Sequence, residues 1–346
     1  MSTLSQPTRL FVWMHPAQAS LVHAVAQSCN LTIAGVGSNE PQGARDCAVK
    51  LQTNPIDDIR SLLGSDNYAK QGDVIWIAAN AEQIELRSIH QASERGVAVL
   101  SCEPIPTDVF RFSGEKYGTH PWQNSTTGRQ SLAVGPLVHR AIKQVATEDH
   151  FEEIGDIQSV TVDLGCRAGD LTENALLFSA CAAINEFLGV PEWVMCARNK
   201  HHASVACQTA QGQIGSLSVS NALGKWTWRC RIAGTRGHIL LDDVYVARIL
   251  SSGDTEVLRH ADYVELERAQ PNETTSLFEL PSADKLGVYY VSEHIRNAIA
   301  RQFNTNLPQY PPVDVGAALS LMHAISLSSR TRQPESPRSI AAMSSA

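Results

Sequence analysis

The chain has 346 residues, 43% of them apolar and 18% charged, and a net charge of −7. That length and apolar share allow two packed domains and exclude wholesale disorder. The acidic balance argues against nucleic acid or an anionic membrane as partner, since both select clustered Lys and Arg, and no apolar run of about 18 residues marks a transmembrane helix.

Leu10-Phe11-Val12-Trp13-Met14 is a short apolar run and reads as a buried strand, broken by His15-Pro16-Ala17-Gln18. Ser20 begins a helix to about Cys29 with Leu21, Val22, Val25 and Ala26 on one face. Strand patterns follow at 31–36, 73–78 and 97–100, and helical patterns at 44–51, 56–63 and 82–95. Alternation with short connections predicts a parallel sheet covered on both faces, over residues 8 to 125. Residues 112–128, rich in Gly, Thr, His, Trp and Asn, read as a crossing between domains.

A helix is expected over 136–147 and a long alternating strand over 157–164. The helix 175–188 is closed by Gly189 and Pro191. Strand patterns then follow at 193–198, 203–209, 214–220, 226–233, 238–242 and 244–250, separated by glycines and short polar breaks, as in an antiparallel meander. Helices are expected at 286–303 and 316–328. The Ser-, Pro- and Arg-rich tail reads as disordered.

The eight cysteines include no CxxC pair and mostly sit in apolar runs, as small buried hydrophobes do, so no metal site is expected on them. Together with an N-terminus lacking an apolar signal region, they point to a reducing, cytoplasmic setting. His201 and His202 are neighbours on an expected strand end, where side chains face opposite ways, and read as surface histidines.

Four segments carry a resemblance: Asp73-Val74-Ile75-Trp76-Ile77-Ala78-Ala79-Asn80, Gly96-Val97-Ala98-Val99-Leu100-Ser101-Cys102-Glu103-Pro104, Ile154-Gly155-Asp156-Ile157-Gln158-Ser159-Val160, and Ile232-Ala233-Gly234-Thr235-Arg236-Gly237-His238-Ile239-Leu240. In order and spacing they resemble the glucose–fructose oxidoreductase and inositol dehydrogenase (Gfo/Idh/MocA) family of NAD(P)-dependent oxidoreductases. The resemblance implies an α/β chain. It has an N-terminal Rossmann domain, a parallel sheet with helices on both faces, and a C-terminal α+β domain with a large, mostly antiparallel open sheet. The expected division is 1–125, a dinucleotide-binding-fold domain; 126–330, a dimerisation and substrate domain; and 331–346, the tail.

The resemblance also assigns slots. The glycine-type positions of the phosphate turn fall on Met14, Pro16 and Ala19, with His15 between the first two; the adenosine-ribose acid falls on Ser38. Ala79 and Asn80 end the strand beside the nicotinamide, and Pro104 follows the catalytic-lysine slot, its peptide a candidate for the cis form. Met14 adds bulk where a tight turn is needed, and Pro16 lacks the N–H that could bind phosphate. Ser38 with Arg45 would suit a 2′-phosphate better than a free ribose. The lysine slot is Glu103, and the slots for the family's Asp and His are Ala175 and Ser179. Proton transfer needs a titratable group, which Glu103 offers and Ser179 does not readily offer.

NAD(P) is therefore the implied cofactor, with affinity expected to be much weaker than the family's. Three readings stay open: an inactive or non-standard oxidoreductase-fold protein, an active divergent NAD(P)-dependent oxidoreductase on a sugar- or polyol-like substrate, and a non-enzymatic ligand-binding or regulatory dimer. A homodimer is expected through the outer face of the C-terminal sheet, on the strength of Val205, Ile214, Leu217, Trp226 and Trp228.

Overall fold

The computed structural model describes residues 8–65, 68–79, 84–114, 132–259, 280, 282–303 and 313–345. Asn80 and most of the 112–128 crossing lie outside them. The described residues group into two compact units, drawn from Met1–Ile105, Tyr117–Pro136 and Val264–Pro312 on one hand, and Pro106–Lys116, Leu137–Tyr263 and Val313–Ala346 on the other. The units interleave: the chain returns to the first after building the sheet of the second, instead of dividing once near 125.

The first unit begins with β1 (Arg9–Trp13), a 3-10 turn (Pro16–Gln18), α1 (Ala19–Ser28), β2 (Thr32–Gly37), α2 (Pro41–Lys50) and β3 (Asn54–Ile56). It continues with α3 (Ile59–Gly64), β4 (Val74–Ile77), α4 (Leu86–Glu94) and β5 (Ala98–Ser101). In the second unit lies α5 (Val109–Gly114); β6 (Ala133–Val134) belongs to the first. The six strands pair in parallel in the order β3-β2-β1-β4-β5-β6. This is the doubly wound dinucleotide-fold order, with its switch point between β1 and β4. Every residue of β4 and β5 is buried, as a sheet covered on both faces requires. At the opposite edge of the sheet, Asp73 accepts hydrogen bonds from Arg9 Nε and the Lys70 N–H and ties the start of β4 to that of β1.

The second unit runs through α6 (Val138–Lys143), α7 (Glu148–Ile154), β7 (Ile157–Arg167), α8 (Glu173–Leu188), β8 (Trp193–Arg198), β9 (His202–Gln208) and β10 (Ile214–Leu223). Then come β11 (Thr227–Gly234), β12 (Gly237–Asp242), β13 (Tyr245–Leu250) and β14 (Thr255–Arg259). The helix expected over 136–147 is the shorter α6, and a capping box of Thr147 and His150 starts a further helix, α7, just beyond that range. The eight strands order as β14-β13-β12-β11-β7-β10-β9-β8, all antiparallel except β7 beside β10.

Burial alternates along these strands. A Cβ at Gly215 would meet Cys207 Sγ and the Ile184 and Leu188 side chains of α8, so that side of the sheet faces the helices. Val205 and Leu217 share that side, and with Trp226 and Trp228 they are buried. The expectation that these four cover the outer face is corrected: the apolar parity is the core parity. The outer parity carries Ser204, Ala206, Thr161, Ser216 and Ser218, and Ile214, 57% exposed, remains from the expected set.

Among the described residues the chain continues with α9 (Lys285–Phe303) in the first unit and α10 (Val315–Thr331) and α11 (Pro337–Ser345) in the second. Arg296 Nη2 on α9 donates to Ser28 Oγ on α1 at 2.9 Å. The tail expected to be disordered is ordered through α11. Val194 on β8 and Glu335 exchange both backbone hydrogen bonds at 2.9 Å, Ser328 Oγ accepts from the Cys196 N–H at 3.0 Å, and Ile340 is buried. Its polar composition hides these anchors, which exist only in the tertiary structure.

Candidate functional site

In the first unit the register brings Met14, Ala78, Cys102 and Gly135 to the carboxyl ends of neighbouring strands, where ligands bind in sheets of this order. A pyrophosphate held there needs free backbone N–H groups at the start of α1. The turn leaves none open between His15 and Ala19. The His15 N–H donates to Gln18 Oε1 at 2.8 Å, and the Ala17 N–H donates to His15 Nδ1 at 3.2 Å. The Gln18 N–H donates to His15 O at 2.9 Å, the Ala19 N–H donates to Pro16 O, and Pro16 has none. Gln18 Nε2 also donates to Ala78 O at 2.9 Å and fastens the turn to the end of β4. Met14 is fully buried, with its N–H given to Gly37 O, and Ala79 donates to Trp13 O at 3.2 Å.

The adenosine side is filled as well. The Trp13 ring lies over Gly37, where any Cβ would collide with it, and its Nε1 donates to Asn39 Oδ1 at 3.0 Å. A Cβ at Gly43 on α2 would stand 2.7 Å from Pro16 Cγ, so α2 packs directly against the turn. Ser38 is buried and its Oγ accepts from the Glu40 N–H at 3.3 Å, while Arg45 is exposed on α2. These residues do not fit a dinucleotide bound through this turn.

Glu103 is 3% exposed at the end of β5. Ser101 Oγ donates to Glu103 O at 2.6 Å and accepts from the Glu103 N–H at 3.3 Å, which fixes the bend into Pro104. Pro104 is buried; the cis peptide among the described residues is Gly135–Pro136, not the one before Pro104. Cys102 accepts from Trp76 Nε1 at 3.3 Å, and burial pushes its thiol up to about 12, which makes it inert. The His294 ring on α9 lies against Gly135.

In the second unit, α8 is capped by Thr172 Oγ1, which accepts from the Ala175 N–H at 3.1 Å. Ser179 is 0% exposed and its Oγ accepts from the Val138 N–H at 2.9 Å. It thereby caps the first turn of α6, a structural duty for the residue in the catalytic-histidine slot. Lys143 at the far end of α6 pairs with Glu186 on α8, so the two helices run alongside in the same direction. Asp170 is buried and accepts from Trp226 Nε1 at 2.7 Å.

Two features escape a slot-by-slot reading of the sequence. His15-x-x-Gln18 has capping-box spacing, a signal present in the sequence but displaced onto residues that seldom form one. His139 on α6 is 5% exposed, and burial, followed by Arg140 and Lys143, pushes its imidazole down to about 3. An isolated His between Val138 and Arg140 gives no sequence signal. Among the described residues no group of three His, Cys, Asp or Glu side chains is placed to hold a metal ion, and no helix is long and apolar enough to cross a membrane.

No protein-family profile and no curated protein matches the chain. Solved structures do. A levoglucosan dehydrogenase in complex with NADH and levoglucosan matches with a TM-score of 0.61 at 14% identity, over 96% of this chain and 99% of that one. The UDP-N-acetylglucosamine 3-dehydrogenase from Acidithiobacillus ferrooxidans gives 0.59 at 14%, over 95% and 100%. An NAD-binding oxidoreductase from Klebsiella pneumoniae gives 0.58 at 13%, over 95% and 98%. The chain has the fold of these dehydrogenases. The resemblance drawn from its four segments holds at that level, over nearly the whole length of both chains.

Proposed function

We propose that this chain is a dehydrogenase-fold protein without dinucleotide-dependent hydride transfer, acting as a ligand-binding, self-associating protein. The observation that carries this reading is the complete use of backbone N–H groups from His15 to Ala19 by the turn itself. Glu103 and Ser179 at the lysine and histidine slots support it independently. Titration calorimetry of the purified protein with NADH and NADPH tests it: binding weaker than about 100 μM is expected, and micromolar binding of either overturns it.

A second reading rests on Glu103. A buried carboxylate at the carboxyl end of a parallel strand is placed as an acid or base for a polyol hydroxyl, in an active, divergent NAD(P)-dependent enzyme. Oxidation of a polyol panel with either nucleotide, abolished in Glu103→Gln, would establish it.

Self-association is proposed through the outer face of the eight-stranded sheet, where the small side chains Ser204, Ala206, Ser216 and Ser218 lie beside the exposed Arg229 and Arg231. Strands of this length at ordinary spacing offer roughly 700–800 Å² per copy, the size of a stable interface. Light scattering should give a dimer and Ser216→Arg a monomer; a monomeric wild type removes the proposal. All eight cysteines are free and seven are buried, which supports a reducing compartment such as the cytoplasm.

A further inference from the structure

The eight-stranded sheet has four strands on either side of the seam between β11 and β7. On its outer face two opposite charges stand astride that seam. Arg231 on β11 is exposed and faces Thr161 in the register, and the half-buried Asp163 lies two residues further along β7. Residues on such a diagonal are roughly 7–8 Å apart. Among the described residues neither Arg231 nor Asp163 makes an ion pair or a side-chain hydrogen bond. Arg229, which faces Asp163 in the register, is held instead by Asp242 at 2.8 Å and Asp243 at 3.1 Å. On β10 and β9 the neighbours Ser216, Ser218, Ala206 and Ser204 are too short to cover either charge.

We propose that a second copy of this chain supplies the missing partners: Arg231 of each copy pairs with Asp163 of the other, about the two-fold axis of a face-to-face dimer. The inference rests on the self-association proposed above and adds what orients it and selects the partner. A face that closes over the middle of this sheet takes both charges out of water. Burying either one unpaired costs more than a dimer of this size can spare, and neither finds its counter-charge within its own copy. A two-fold interface sets residue i against j and j against i. A lone arginine at the centre would therefore meet an arginine, whereas an arginine and an aspartate on opposite sides of the centre complement themselves. The face thus carries its own key: another copy offers the matching charges in the matching places, and an unrelated flat sheet does not.

Sedimentation of the full-length protein tests this through charge reversal. The wild type should sediment as a dimer. Arg231→Asp alone and Asp163→Arg alone should be monomers, because each sets like charges together at both contacts. An equimolar mixture of the two should sediment as a dimer again, since both contacts of the mixed pair join opposite charges. Arg231→Gln and Asp163→Asn keep the size of the side chains and avoid the like charge that Asp163→Arg places opposite Arg229. Each should weaken the dimer about thirtyfold or more. Dimers of unchanged affinity in these two neutral variants would overturn the inference while leaving self-association by another arrangement, as would a mixture of folded charge-reversal variants that stays monomeric. A monomeric wild type would remove self-association itself, and this pairing with it.

Discussion

In the turn after β1, five successive residues leave no backbone N–H open, whereas at the seam of α6 and α8 one imidazole nitrogen is buried with no partner. In the first region the His15 and Gln18 side chains supply the acceptors for the turn's own N–H groups. The second region spends its available hydroxyl, Ser179, on a helix end and leaves the neighbouring histidine unsatisfied. A turn that satisfies its own polar groups gains stability from them, while a buried polar atom without a partner costs some.

The largest expected effect is on stability against pH. His139 is held neutral in the folded chain, with its imidazole pushed down to about 3, while the unfolded chain binds a proton there below about pH 6.5. This contribution to stability is complete above about pH 6.5 and is lost as pH falls toward 3. Its slope reaches about 1.4 kcal/mol per pH unit inside that window. Urea midpoints across the window should show the slope, and His139→Leu should flatten it; an unchanged slope would mean that His139 is protonated in the folded chain.

Two substitutions of similar size test the packing on either side of the contrast. Gly37→Ala drives a Cβ into the Trp13 ring and should cost about 1–3 kcal/mol. Trp13→Ala in the same chain should recover part of that loss, and strict additivity would mean that the two residues do not meet. Ser179→Ala strands the Val138 N–H and should cost about 1–3 kcal/mol by urea unfolding; no loss would return Ser179 to the pool of uncommitted hydroxyls.

A smaller effect is expected from reopening the turn. The His15→Ala, Gln18→Ala double variant frees two N–H groups but keeps Pro16 and Met14. NADH affinity should rise by about tenfold at most, read by calorimetry. A larger rise would show that self-capping, and not the packing of Trp13 and Pro16, excludes the dinucleotide. The smallest effect is none: Glu103→Lys restores the charge found in the resembling family, yet no hydride transfer should follow, because the turn and position 179 are unchanged.

Much of the fold could be read in advance because it rests on local pattern. The apolar runs at 10–14, 73–78 and 97–100, and the glycine-punctuated meander after 193, are strands whose ends fall within three residues of the expected places. β14 and β3 escaped because Thr255-Glu256-Val257 and Asn54-Pro55-Ile56 are too short and polar to show a period. The inner parity of Val205, Leu217 and Trp228 was misassigned because alternation shows two faces but not which one the helices cover. The candidate site was legible only as substitutions. That Gln18 turns back onto the His15 N–H, or that His139 lacks a partner, depends on rotamers and on helices far apart in the sequence.

The exchange of backbone hydrogen bonds between Glu335 and Val194 has a consequence for chain integrity. β8 ends the large sheet, and an exposed outermost strand offers its open backbone groups to any extended segment that drifts past. Residues beyond Thr331 act here as a built-in stopper: Glu335 caps the rim of β8, and the buried Ile340 fastens the segment in place. A protease nick at Arg332 would cut the chain between α10 and the segment that covers this rim, so the rim's protection rests on the continuity of a few exposed residues.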